Sequence, residues 1–241
     1  CPNQSLFSRE IKKKLNEKFR CNFRNLSQKT FDNVVSNYEI ILSRFSKNIK
    51  YFKKYKIKYI ISPTTGTNHI DNKFLKDKKV KIITLKNENT FLKKINASSE
   101  LTILLILNFL RKIKKIKKNT QIGNEINDKK IGIIGYGRIG RKVSKILTSF
   151  GAKIFFYDKK KIKNKNSLDF VLRSCDIISI HIPLNKLNEK FFNKEKLKKI
   201  KKNALLVNTS RGEVMDEEYL INRLKQNKLS FTSLVFIVFC I

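Results

Sequence analysis

Tryptophan is absent, methionine occurs once, and 19 acidic residues face 54 lysines and arginines, a formal charge of +35 over 241 residues. The four cysteines, Cys1, Cys21, Cys175 and Cys240, stand far apart with no Cys-x-x-Cys pair. That spacing excludes a disulfide scaffold and a thiolate zinc site, and it suits a reducing, cytoplasmic location. Two histidines, His69 and His181, cannot build a metal cluster between them, so no metal is expected. No apolar run reaches the roughly 18–20 residues that a membrane-spanning helix needs, so no membrane partner is expected. The best candidates, Leu101–Leu110 and Leu234–Ile241, are too short. No cleavable signal is visible. The chain starts at Cys1 rather than methionine and closes on an apolar run, which suggests a fragment.

An apolar fraction of 41% with 10% aromatics supplies a core and excludes wholesale disorder. The length fits two moderate domains or one large one. The basic charge suggests nucleic-acid binding. Yet lysines run along the whole chain, in clusters such as Lys12–Lys14, Lys112–Lys118, Lys159–Lys161 and Lys198–Lys202. No unit interleaves them with exposed aromatics as nucleic-acid modules do. The charge therefore reads as biased composition. It predicts weak association at low salt and no specific nucleic-acid partner.

Short apolar runs alternate with polar helical stretches, the pattern of a parallel α/β sheet. Phe7, Ile11, Leu15 and Phe19 recur every four residues and predict one helix face. Strands are expected at Glu39–Leu42, Ile57–Ile61 and Val80–Leu85, each apolar enough to be covered on both faces. A long helix is expected from Asn96 to Lys118, joining a domain over residues 1–94 to another over 95–241. The second domain then predicts strands Lys130–Ile134, Lys153–Tyr157, Asp176–Ile182 and Ala204–Asn208. Between and after them come helices Ile139–Phe150, Leu168–Ser174, Lys194–Ile200 and Glu217–Lys225, the last capped by Asp216.

Only eight glycines occur, yet three fall in Gly135-Tyr136-Gly137-Arg138-Ile139-Gly140, between a predicted strand and a predicted helix. Gly135 permits a tight turn, Gly137 lets backbone approach a pyrophosphate, and Gly140 lets the helix pack closely on the strand. The helix N-terminus offers free N–H groups to phosphate. Asp158 closes the next strand, where it can accept hydrogen bonds from a ribose and repel a 2′-phosphate. That favours NAD over NADP, although Lys159–Lys161 could bind a phosphate instead. Rossmann-like methyltransferases share the glycines and the acid, so the turn alone leaves that class open. Two further strand ends discriminate. His181 and Pro183 end one strand, and Thr209, Ser210 and Arg211 end the next, where open α/β sheets bind ligands. The Arg211 fork suits a substrate carboxylate. His181 is placed as a cofactor-lining residue rather than an acid/base.

The blocks IGIIGYGRIGRKVSKIL, DIISIHIPL and LLVNTSRGEVMDEEYL together resemble the D-isomer-specific 2-hydroxyacid dehydrogenases. Ile60–Asp71 resembles that family's substrate-domain loop, and Asn96–Thr102 the start of its interdomain helix. The likeness runs over about residues 30 to 229 in the family's order, nearest its phosphoglycerate dehydrogenase-like branch. It implies two doubly wound parallel-sheet domains, a flavodoxin-like substrate domain and a Rossmann NAD-binding domain. It also implies hydride exchange between NAD and C2 of a small 2-hydroxy or 2-keto acid, in a homodimer. Thr65, Gly66 and Thr67 would meet the substrate, and Arg211 its carboxylate and carbonyl oxygen. Gly135, Gly137, Arg138, Ile139 and Gly140 would hold the pyrophosphate and Asp158 the adenine ribose. His181, Pro183, Thr209 and Ser210 would line the rest of the cofactor.

The family's acid/base histidine and its supporting glutamate lie downstream of the arginine block, and this chain has neither. Its final stretch, Leu229–Ile241, turns wholly apolar where the family has an Asp-Val-Phe turn. The sequence thus predicts cofactor binding with little turnover by this chain, and an open sheet edge. A non-catalytic, NAD-responsive regulatory protein on the same fold is the alternative, with a basic nucleic-acid binder as a third possibility.

Overall fold

β-Branched runs without polar alternation call for cover on both faces. The second of the chain's two parallel sheets has it along its central strands. The expectation fails in the first, where Ile40, Tyr59 and Ile83 stay 36%, 39% and 41% exposed because one face of that sheet is only partly covered. The computed structural model describes residues 7–43, 47–112, 123–160, 163, 165–225 and 234–236. These form two compact units that meet in sequence between Leu92 and Lys93.

In the first unit, β1 (Ile40–Leu42), β2 (Tyr59–Ser62) and β3 (Lys81–Thr84) form a parallel sheet in that order. Around it lie α1 (Arg9–Asn16), α2 (Gln28–Val34) and α3 (Asn72–Lys76), while α4 (Asn89–Lys94) runs across the boundary. Ser27 and Asp71 cap α2 and α3 by accepting the amides of Thr30 and Lys73. Phe31, Val35, Ile41, Ile60, Phe74 and Val80 make the core. The predicted apolar face of the first helix is not buried. The helix α1 stops at Asn16, short of Phe19, and buries no residue, leaving Ile11 and Phe19 46% and 50% exposed. Eight residues are too few to present four apolar positions along one face.

The second unit begins with α5 (Ala97–Arg111). The sequence expectation carried this helix to Lys118. It ends instead where Lys112 turns left-handed, φ 52°, and its amide bonds back to the carbonyls of Asn108 and Phe109. The remainder of that prediction, 113–118, lies outside the described residues. Then follow β4 (Lys130–Ile134), α6 (Arg138–Ser149), β5 (Lys153–Tyr157), α7 (Leu168–Ser174) and β6 (Ile177–Ile180). The chain continues through α8 (Lys194–Lys198), β7 (Leu205–Asn208), α9 (Glu217–Lys225) and β8 (Leu234–Phe236). The sheet is wholly parallel, in the order β5-β4-β6-β7-β8. The predicted apolar end run thus contributes β8, which pairs with β7 at the sheet edge.

The strand order places the winding reversal between β4 and β6, and it sends helices to both faces. On one face Ile131, Ile133, Ile177 and Val207 pack with Ile106 and Leu110 of α5 and Val143 and Leu147 of α6. On the other, Ile134, Ile178, Ile180 and Leu206 pack with Val171 and Leu172 of α7, Leu197 of α8 and Leu220 of α9. Gly132 of β4 leaves room there for the side chains of Val171 and Cys175. Burial pushes the Cys175 thiol up to about 12, so it stays protonated and unreactive. At the β5 edge, Asn166 accepts the Phe156 amide through Oδ1 (3.0 Å) and donates its own amide to the Phe156 carbonyl (2.8 Å).

Phe192 is fully buried after the β6 loop and ties it to the segment beyond β7. Its amide donates to the Val214 carbonyl at 3.0 Å, and its carbonyl accepts the Asp216 amide at 3.0 Å. Phe192→Ala should cost about 3–5 kcal/mol in chemical denaturation; a loss under about 1 kcal/mol would contradict this placement.

Candidate functional site at the strand ends of the second unit

The turn after β4 is built from backbone packed on backbone. Gly135 has φ +94°, a left-handed conformation, and a Cβ there would stand 2.8 Å from the His181 carbonyl oxygen at the end of β6. A Cβ on Gly140 would collide with the carbonyl oxygen of Gly135. Gly137, the N-cap of α6, is the opposite case: it is exposed, and a Cβ would meet nothing within 4 Å. The two outer glycines thus close the fold, and the middle one leaves backbone open beside the first amides of a helix. Those amides have no acceptor within the helix and carry its positive end. The space and polarity fit the diphosphate of a dinucleotide.

Neighbouring side chains fix this turn. Asp158, just past β5, accepts the Tyr136 amide at 2.7 Å and the Lys160 amide at 2.9 Å, so its carboxylate is fastened to the glycine turn. The Tyr136 ring stacks on Phe156 with centroids 3.9 Å apart, and the Arg141 guanidinium covers it at 5.2 Å. Arg141 Nε also donates to the Tyr136 carbonyl. Arg138, in the first turn of α6, donates to the Ile95 carbonyl at 3.2 Å, and burial lowers its pKa from the ordinary value. Ile139 follows it, packed against the α5–α6 core. One turn further on, the Lys142 ammonium donates to the carbonyls of Lys93 and Ile95 and to Asn96 Oδ1.

The ends of β6 and β7 lie alongside. The His181 amide bonds to the Ile134 carbonyl, and its Nε2 sits 2.9 Å from the buried Ser179 hydroxyl. Burial pulls the imidazole pKa down to about 4, so the ring is neutral near pH 7. Pro183 is exposed, and its carbonyl accepts Asn188 Nδ2, which holds the following loop. Thr209 joins Thr102 of α5 through their hydroxyls at 2.9 Å. Asn208, 3% exposed, accepts both the amide and the hydroxyl of Ser210 through Oδ1. Its Nδ2 donates to the Arg211 carbonyl at 2.8 Å. Arg211 in turn places Nη1 on the Ser210 carbonyl at 2.8 Å.

The sequence-predicted residues of this unit therefore collect at one edge, on the consecutive strand ends of β5, β4, β6 and β7. The edge includes the winding reversal, where open sheets bind ligands. Thr65, Gly66 and Thr67 form a loop after β2 in the first unit, with Thr65 exposed and the other two half-buried. Sequence reasoning missed the residues that shape the edge, Asn208 and Asn188 above all. Asn208 had a signal: a polar residue closing an apolar strand, two before a serine amide, is the pattern of an Asx turn. Asn188 had none, because its side chain bonds to the carbonyl of Pro183 five residues back, a spacing that no standard turn pattern marks.

Residues 103–234, more than half of the chain, match the family model described as D-isomer specific 2-hydroxyacid dehydrogenase, NAD binding domain. A glyoxylate reductase of Thermofilum pendens is 37% identical over 161 residues, covering 58% of this chain and 48% of that protein. A D-3-phosphoglycerate dehydrogenase of Haemophilus influenzae is 31% identical over 179 residues, covering 68% and 42%. Among solved structures, an acyclic imino acid reductase in complex with NADPH and D-Arg superposes with a TM-score of 0.77 at 26% identity. That match covers 96% of this chain and 82% of the other. The chain spans about half the length of the curated relatives it matches.

The glycines separate folding from binding. Gly140→Ala should destabilise by about 1–3 kcal/mol through overpacking. Gly137→Ala should leave the melting temperature unchanged and weaken NADH binding at least tenfold by calorimetry; equal NADH affinity would contradict the open-backbone geometry. His181 generates a pH dependence. Its folded pKa, about 4, lies below the ordinary imidazole value of 6.5. The unfolded chain therefore binds a proton that the folded chain refuses, and stability falls as pH drops from 6.5 towards 4. His181→Asn should flatten that limb of the denaturation free energy against pH, and an unchanged limb would refute the assignment.

Proposed function

The chain belongs to the D-isomer specific 2-hydroxyacid dehydrogenases through their NAD-binding domain, and from that premise we propose that it serves hydride transfer to or from C2 of a small D-2-hydroxy or 2-keto acid. The observation that carries the reading is the closed-open-closed glycine turn Gly135, Gly137, Gly140 at the head of α6. Bound NAD supplies the hydride acceptor, and NADH the donor. In this reading residues 95–241 bind the cofactor and residues 1–94 the acid. The backbone at Gly137, Arg138 and Ile139 holds the pyrophosphate. Asp158, whose carboxylate is already oriented by two amides, takes the adenine ribose and disfavours a 2′-phosphate. His181, Pro183, Thr209 and Ser210 line the cofactor. Arg211, with its carbonyl held by Asn208, grips the substrate carboxylate, and in the first unit Thr65, Gly66 and Thr67 are the residues assigned to the acid. A second copy of the chain is the expected partner. Leu104 of α5, an apolar side chain 57% exposed, is a natural part of that contact. The described thiols, Cys21 and Cys175, are free, which suits the cytoplasm.

Acid/base chemistry is the weak point of the 241-residue chain. Its only histidines are His69 and His181, and none follows Arg211. His181 is neutral and hydrogen-bonded to Ser179. His69 is 4% exposed and bonded to Ser62. General acid/base assistance is worth roughly 10²–10⁴-fold in rate. The same observation favours a second reading, a non-catalytic protein that responds to NAD. Calorimetry and NADH oxidation on one preparation test both. NADH should bind more tightly than NADPH, while glyoxylate, pyruvate and hydroxypyruvate should be reduced barely above background. No NADH binding would overturn both readings, and brisk turnover would overturn the expectation of inactivity. A monomer by sedimentation would remove the dimer.

A further inference from the structure

The loop assigned above to the substrate acid is tied to a buried chain of polar side chains. Ser62 closes β2 and is 1% exposed; Thr64 is 6% and His69 4% exposed. The Thr64 hydroxyl stands 2.8 Å from the Gly66 carbonyl, 2.9 Å separates it from the Ser62 hydroxyl, and His69 Nε2 lies 3.0 Å from Ser62.

Valence fixes the direction of every proton in this chain. A carbonyl only accepts, so the single hydroxyl proton of Thr64 goes to Gly66. Thr64 then meets Ser62 as an acceptor, and the Ser62 proton goes to Thr64. Ser62 has no proton left for the ring, so His69 must donate from Nε2. The order runs His69 to Ser62 to Thr64 to the Gly66 carbonyl, and each donor polarises the next. Backbone bonds hold the rest of the loop. The Thr64 carbonyl accepts the Leu85 amide, the Ile70 amide donates to the Thr67 carbonyl, and the His69 carbonyl accepts the Ile49 amide. Gly66, at the crown, has no bulk of its own to hold it in place.

We infer that His69, acting through Ser62 and Thr64, is a positioning residue that locks the Thr65–Gly66–Thr67 loop in one conformation through a one-way hydrogen-bond chain fixing the Nε2–H tautomer. The substrate side of this inference rests on the function proposed above; the tautomer and the loop order do not. The device explains why a histidine is buried here without being offered for acid/base work: its one defined proton is committed to the loop.

The test uses the full 241-residue chain. With two histidines, the imidazole nitrogens are assigned by comparison with His181→Asn, and long-range ¹⁵N–¹H spectra at pH 8 read the tautomer. His69 should be Nε2–H, and an Nδ1–H ring would overturn the chain of donors. Thr64→Val keeps the side-chain shape and removes the hydroxyl. It should raise amide exchange at Thr65–Thr67 about tenfold, the scale of one lost hydrogen bond. It should also weaken oxamate binding to the NADH complex at least fivefold, with NADH affinity unchanged. Thr64→Ser should restore both. His69→Gln, which keeps a donor, should stay nearer to the wild type than His69→Leu. Unchanged loop exchange in Thr64→Val would overturn the proposal. So would exchange raised evenly across the first unit, or oxamate affinity untouched by a loosened loop. If oxamate fails to bind even the wild type, the substrate reading of the loop falls, while tautomer and exchange still decide whether the chain orders it.

Discussion

The second unit depends on one contact between backbones, where Gly140 of α6 lies against the carbonyl of Gly135 with no space for a Cβ. Gly135 has turned left-handed to reach that position, and it abuts the carbonyl of His181 on the neighbouring strand. The helix is thereby drawn onto β4 at the point where the sheet's winding reverses. Its unbonded first amides are left at the rim, with the ends of β5, β6 and β7 beside them. The predicted polar residues of this unit reach the edge because the parallel register levels Tyr157, Ile134, Ile180 and Asn208 at the ends of their strands. A methyl group in the wrong place would displace the helix and, with it, the electrostatic character of the rim.

The oriented amides at this rim offer attraction to an anion in addition to that of its basic side chains. Ion pairs among the described residues, such as Lys14–Glu10 and Lys58–Glu39, are mostly exposed and contribute little. Stability comes instead from the two apolar layers around β4, β6 and β7, whose residues are almost all buried. A Lys-rich surface is therefore compatible with an ordinary core. The lysine that stands out is Lys142, whose ammonium is satisfied by three oxygen acceptors, none of them a carboxylate.

Strands β4, β6 and β7 of this sheet were legible because each is a continuous apolar run covered on both faces. Lys130–Ile134 and Lys153–Tyr157 coincide with their sequence boundaries, as do helices Leu168–Ser174 and Glu217–Lys225. Asp216 caps the last of these through the Tyr219 amide, as its position suggested. The glycine turn was legible for a related reason, since its demands are steric and local. What stayed hidden was long-range or nearly isoenergetic. The left-handed stop at Lys112 is a choice that no glycine announces. The first helix shows apolar periodicity without burial, because periodicity reports a face and says nothing of a partner. The Thr102–Thr209 bond joins residues 107 apart in sequence, and the roles of Ser62 and Thr64 depend on a histidine that a spacing argument could only rule out of metal binding.

Asn166 has a consequence for how the molecule meets others of its kind. By giving an acceptor and a donor to Phe156, it performs the service that an adjoining strand would otherwise render. The outward-facing groups of β5 at that point are already spoken for, so an incoming extended segment finds no template there. At Phe156 this flank of the sheet is thus closed to strand addition by a single asparagine.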